Sequence, residues 1–274
     1  MSTELRPLTL GELLDRTFFL YRKNFILFAG IVALPHLALL AVQFAGVGLT
    51  SAKLLIGPAA SIPWTLAVWA VSLGVTAASQ GATVIAVSQV HLGRQTTITE
   101  SFAGIKGRIF YLALIMIGYW IGIGVGLALL VVPGIILALM WALTIPVAVI
   151  EDTGLRDSVN RSAELTKGHR GRVFVLGLLV IVLWYAIFMV WEIPIFAALG
   201  VMTRGHRLVS VPLWTQLAIP VGSFISQCLV GPLMTIGFSL LYYDERVRKE
   251  AFDLQLMMSN LDNAQPGVVP VAST

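Results

Sequence analysis

The sequence predicts an all-α integral membrane protein with about six transmembrane helices. They form three hairpins, each preceded by a short interfacial amphipathic helix. Three observations predict it: composition, the spacing of apolar runs, and the placement of lysine and arginine. Of 274 residues, 57% are apolar and 12% charged, and mean hydropathy is +0.88. A soluble domain carries roughly 25% charged residues, because water must solvate its surface. Half that charge leaves much of this surface facing something other than water.

A spanning helix needs about 20 mostly apolar residues. Such runs occur at about 25–45, 63–90, 109–131, 134–150, 173–195 and 215–242. The fourth is short. It is read as a full span in a locally thinned bilayer, with half of a re-entrant pair as the alternative. Pro133-Gly134 is expected to make the turn before it. The first run follows a charged lead and is too long for a secretory h-region, so no cleaved signal peptide is expected.

The basic residues test this count. Arg6, Arg16, Arg22, Lys23, Arg94, Lys106, Arg108, Arg156, Arg161, Lys167, Arg170, Arg172, Arg246, Arg248 and Lys249 fall on one side of the alternation. Lys53, Arg204 and Arg207 fall on the other. Cytoplasmic loops attract Lys and Arg. Fifteen against three therefore predicts a cytoplasmic membrane, bacterial in the reading below, with both termini inside. Residues 1–250 form a single membrane domain, and 251–274 are expected to be a largely disordered cytoplasmic tail. The basic clusters are too short and scattered for a nucleic-acid stripe; the partner they imply is anionic lipid headgroups at the cytoplasmic face.

Three amphipathic stretches precede the odd-numbered spans, at about 9–24, 97–107 and 154–170. Thr9-x-x-Glu12 and Thr97-x-x-Glu100 fit the capping box, in which Thr caps the helix start and Glu reaches back. Thr153 opens the third copy, with its acid displaced to Asp157. Leu10, Leu13, Leu14, Phe18 and Tyr21 share one side of the first stretch, and Ile98, Ser101, Phe102 and Ile105 one side of the second. The third offers only Leu155, Val159 and Ala163, a stripe suited to resting on protein.

The stretch Leu10-Gly-Glu-Leu-Leu-Asp-Arg-Thr-Phe-Phe-Leu-Tyr-Arg-Lys-Asn-Phe25 resembles the start of the membrane domain fused to some bacterial glycerophosphoryl diester phosphodiesterases. Val132-Pro-Gly-Ile135 resembles that family's hairpin. Ile145 to Glu151, Gly154-Leu155 and Ser158-Val-Asn-Arg-Ser-Ala-Glu-Leu-Thr-Lys-Gly168 follow in the family's order. The resemblance covers about 9–245 and implies a free-standing membrane domain, since a catalytic barrel would need about 250 further residues. His169-Arg170-Gly171 matches the opening of that catalytic domain, but a membrane span follows it and no acidic partners are expected downstream. His169 is read as a headgroup-level residue.

Ionisable residues inside a span are functional suspects. His36 lies about 16 Å past Phe25, near the bilayer centre, and Gln80 lies equally deep from His91. With Ser79, Ser226 and Gln227 they form a candidate midplane polar cluster, read either as interhelical hydrogen bonds or as a substrate or proton site. Glu192 is placed at the outer interface, near Arg204 or Arg207. Gly118, Gly122 and Gly126 form a small-xxx-small line for helix packing, within the chain or in a homodimer. Cys228 reads as a small buried hydrophobe. Paired acids, metal ligands and a nucleophilic triad are missing, so no enzyme, cofactor or metal is expected. The leading function is an anchoring or assembly module for an envelope or lipid-related partner. The alternative is a small transporter or lipid-handling protein using the midplane cluster.

Overall fold

The computed structural model describes residues 8–54, 57–203 and 212–250. They form α1 (Leu10–Lys23), α2 (Phe25–Ser51), α3 (Pro58–His91), α4 (Ile98–Ala103) and α5 (Ile109–Leu129). After these come α6 (Val131–Met140), α7 (Thr144–Ile150), α8 (Leu155–Thr166), α9 (Arg170–Thr203) and α10 (Leu213–Glu250). Six helical stretches among the described residues are long and apolar enough to cross a membrane, the fourth being α6 and α7 together. The tail at 251–274, expected to be largely disordered, lies outside the described residues, as do Arg204 and Arg207.

The long helices overrun their predicted limits because backbone hydrogen bonding continues past the apolar run. At 1.5 Å per residue the 38-residue α10 reaches about 57 Å, well beyond a hydrocarbon core of about 30 Å. Its C-terminal half from Val230 is the centre of the fold, with Leu233, Ile236, Leu240, Leu241 and Tyr242 all buried. Helices α1, α2, α3, α7, α8 and α9 pack around it. Sequence neighbours α2 and α3, α5 and α6, and α9 and α10 also pack on each other.

Both predicted capping boxes form. Thr9 Oγ1 accepts from the Glu12 amide while Glu12 accepts from the Thr9 amide at 2.8 Å, and Thr97 and Glu100 repeat the arrangement. The third copy differs. Gly154 is its N-cap, and the Thr153 hydroxyl turns to Ser158 at 2.8 Å. The face that α8 buries also differs from the expected stripe: Ser158, Ser162, Leu165 and Thr166 point inward, whereas Leu155 is exposed and Val159 and Ala163 are half-buried. In α1, Leu13, Thr17 and Leu20 are buried while Phe18 and Phe19 are exposed, so the apolar side is divided between protein contact and the outside. The second stretch is helical only to Ala103 and then turns through Gly107 at φ 83°.

The fourth segment needs the largest correction. Its turn is at Leu130, in extended conformation, and not at Pro133-Gly134. Pro133 sits in the first turn of α6, where a missing N–H costs nothing. The segment breaks again at 141–143, a defect that apolar surroundings punish unless freed backbone groups find partners. Helix α8 supplies them. The Ser162 hydroxyl donates to the Met140 carbonyl at 2.8 Å and accepts from the Leu143 amide at 3.0 Å. The Thr166 hydroxyl lies 3.3 Å from the same carbonyl.

The glycine line faces this broken segment at Gly122 and Gly126 and α8 at Gly118. A Cβ on Gly118 would meet Leu155, one on Gly122 would meet the Trp141 ring, and one on Gly126 would lie 3.0 Å from the Gly134 Cα. All three contacts lie within the chain, which spends the line on its own packing. Gly124, between them, has nothing within 4 Å. Gly126→Leu is therefore expected to lower the melting temperature of the detergent extract by several degrees, because backbone stands in the way. Gly122→Leu should do so less, since a side chain can give. Gly124→Leu should leave melting unchanged; equal melting for Gly124→Leu and Gly126→Leu would refute this packing.

Candidate functional site

The residues predicted to meet at mid-depth border two adjoining cavities. The larger, about 420 Å³, lies between α2, α3, α5, α9 and α10, and His36, Ser79, Gln80 and Gln227 line it. The smaller, about 200 Å³, shares His36, Thr76, Trp184 and Gln227 with it and adds Ser226. All five cluster residues thus face one tract. Helix α9 packs along α10 and α6, and it reaches the larger cavity with Val180, Ile181, Trp184 and Tyr185. Trp120 and Tyr185 are 58% and 53% exposed while lining the same cavity, so the two aromatics stand at its mouth.

Among the five cluster residues, the side-chain contact that joins two helices is His36 with Ser79, between α2 and α3. His36 Nδ1 lies 2.8 Å from the Val32 carbonyl oxygen. A carbonyl only accepts, so Nδ1 carries the proton and, in the neutral ring, Nε2 is left as an acceptor. The Ser79 hydroxyl lies 3.3 Å from Nδ1 and donates to the Val75 carbonyl. Thr76, Thr83 and Thr235 likewise donate to carbonyls of their own helices. These hydroxyls are satisfied locally. The side-chain amides of Gln80 and Gln227 make no hydrogen bond to the described residues, and the buried Ser226 Oγ has no partner among them. Glu192 is buried in α9, and the arginines expected near it lie outside the described residues.

A second polar centre escaped the sequence reading. Asp244 and Glu245, near the end of α10, have fully buried side chains. Arg172 Nη1 bonds to both, at 2.5 and 2.9 Å, and Arg248 bonds to Asp244 at 2.9 Å. Asp244 also accepts from the Leu8 amide at 2.6 Å, while Arg172 and Arg248 donate to the Leu8 carbonyl. His169 Nδ1 lies 2.7 Å from Glu245, so the acidic partner that seemed missing downstream exists, 76 residues on. His169 is half-buried beside this ion network, with Glu245 as its partner.

Beside it runs a chain from Glu151 through Arg161 and Glu250 to Arg246. The Tyr242 hydroxyl donates to Glu151 at 2.8 Å. Burial opposes the Arg161 charge, yet hydrogen bonds and proximity to Glu250 and Glu151 raise its pKa further above the usual guanidinium value. Arg16 of α1 is lowered by burial. Arg108 pairs with Asp152, and the Tyr243 hydroxyl donates to Ser88 at 2.8 Å. One end of the bundle therefore gathers the C-terminal ends of α3, α7 and α10, the N-terminal ends of α5 and α9, and the segment entering α1. Those ends belong to the side where the basic-residue count puts fifteen charges.

The available signal was the Asp244-Glu245 pair directly after Tyr242-Tyr243. Orientation rules give it no role, because acidic residues carry little weight there. Removing one partner of a buried ion pair typically costs about 3–5 kcal/mol. Arg172→Met is expected to destabilise the extracted protein on that scale in denaturant or thermal unfolding. A change under about 1 kcal/mol would place Asp244 and Glu245 in water, where exposed pairs contribute little.

Comparison of the chain with protein-family models, curated proteins and solved structures finds no match.

Proposed function

We propose that this chain is a multi-pass membrane protein that holds a lipid-sized ligand in its mid-depth cavity and performs no chemistry on it. The observation that carries this reading is the tract of about 420 Å³ with unspent hydrogen-bonding groups. Ligand sites are mostly apolar concavities of about 300–1,000 Å³ with a few placed polar groups. Val32, Met116, Val180, Val230 and Met234 supply the apolar wall, and His36, Gln80 and Gln227 the polar points. Interhelical hydrogen bonds alone would have paired those groups with one another. The lipid-handling reading is thereby favoured over the anchoring module, which makes no use of an internal cavity.

The membrane placement belongs to the same proposal: three hairpins, each introduced by an interfacial helix, with both termini in the cytoplasm of a bacterium. Its support is the basic-residue count together with the charged end just described. The exposed Phe18, Phe19, Phe25 and Ile26 around the α1–α2 junction suit a helix lying at headgroup level. A free-standing member of the phosphodiesterase membrane-domain family would have this layout.

Gly231 offers a clean test, because it lines the larger cavity and a Cβ there would meet neighbours only at 3.7 Å or beyond. Gly231→Phe is expected to fill the space without strain. Mass spectrometry of the gently extracted protein should show a lipid retained by the unaltered chain and lost from the variant, with melting unchanged or raised. Equal retention by both would reject the cavity as the binding site.

A further inference from the structure

The identity of the ligand's polar end can be read from the lining. Among the described residues no Asp, Glu, Lys or Arg borders either cavity. A phosphate or ammonium entering there would be stripped of water with no countercharge, a cost that only pairing can offset. The groups left unspent are neutral and of both kinds. His36 Nε2 accepts, while each of the amides of Gln80 and Gln227 offers two N–H donors and a carbonyl acceptor. A hydroxyl group, which both donates and accepts, answers this set, whereas a hydrocarbon tail would leave it unmatched.

Depth adds a second constraint. His36 is 11 residues into α2 and Gln80 11 residues from the end of α3, each about 16 Å along its helix. That is half of a hydrocarbon core about 30 Å thick. A lipid resting in its own leaflet keeps its polar end at the surface, so a polar site at this depth meets a lipid whose polar end has left the interface.

Resting on the ligand-holding reading above, we infer that the cavity receives the uncharged, hydroxyl-bearing end of a neutral lipid, an acylglycerol or a long-chain alcohol, and excludes its phosphorylated counterpart. The mouth at Trp120 and Tyr185 admits the chains, while His36, Gln80 and Gln227 hold the hydroxyl.

Tryptophan fluorescence of the full chain in detergent reports on the site, because Trp120 and Trp184 line it. Three probes with brominated chains would be titrated: a diacylglycerol, a long-chain alcohol, and the phosphatidic acid of the same acyl chains. Saturable quenching is expected from at least one neutral probe, which identifies the source, with phosphatidic acid weaker by about tenfold or more. The double substitution Gln80→Leu and Gln227→Leu should weaken the neutral probe by about tenfold while leaving melting within a few degrees. If the double variant is poorly folded, each single substitution is read the same way. Phosphatidic acid binding as tightly as the neutral probes, or neutral binding indifferent to the glutamines, would overturn this inference and leave the ligand-holding reading standing. Absence of saturable quenching by all three would overturn both.

Discussion

A surface this apolar leaves no water to satisfy a freed backbone group or a buried charge, so the chain must answer each one itself. The fold depends on that constraint most visibly at 141–143, where the fourth segment breaks. The Ser162 hydroxyl answers both sides of the break, donating to Met140 and accepting from Leu143. Helix α8 is held in place for this by Lys249, whose ammonium donates to the Glu164 and Lys167 carbonyls at the end of α8. Its inward line of Ser158, Ser162 and Thr166 has no place on an ordinary amphipathic helix, but it suits one that must hydrogen-bond an interrupted neighbour.

The same constraint explains the charged end. Asp244 and Glu245 are tolerable in a fully buried position because Arg172, Arg248, His169 and the Leu8 amide share them. Those partners come from the first residues, the start of α9 and α10 itself. Chain segments more than 160 residues apart are thus fixed at one end. Mid-depth is built differently: α9 holds to α10 and leaves a cavity toward α2, α3 and α5. The charged end is thus tightly bonded while the middle keeps open space, the arrangement that the proposed ligand-holding role would need.

The long apolar runs and the capping boxes were legible because each depends on residues adjacent in sequence. Thr9 with Glu12, and Thr97 with Glu100, need only a three-residue spacing. The candidate polar residues were also legible, since counting along helices of known rise put His36 and Gln80 at one depth. What could not be read was pairing. The Glu245–His169 contact, the Ser162 repair and the Leu130 turn each depend on which helices become neighbours. Likewise, helical counting sets the depth of Gln80 and Gln227 but says nothing of whether space remains beside them. Pro133-Gly134 misled because the dipeptide marks turns in general, whereas Pro in a first helical turn is equally well accommodated.

The central claim is that side chains, not water, satisfy the interrupted backbone, and amide exchange tests it most directly. Leu143 sits outside regular helix, and its N–H goes to Ser162 Oγ. In lipid nanodiscs, hydrogen–deuterium exchange should find Leu143 protected as strongly as the adjoining helices, and Ser162→Ala should selectively accelerate it. Fast exchange at Leu143 in the unaltered chain, or protection indifferent to Ser162→Ala, would contradict the account.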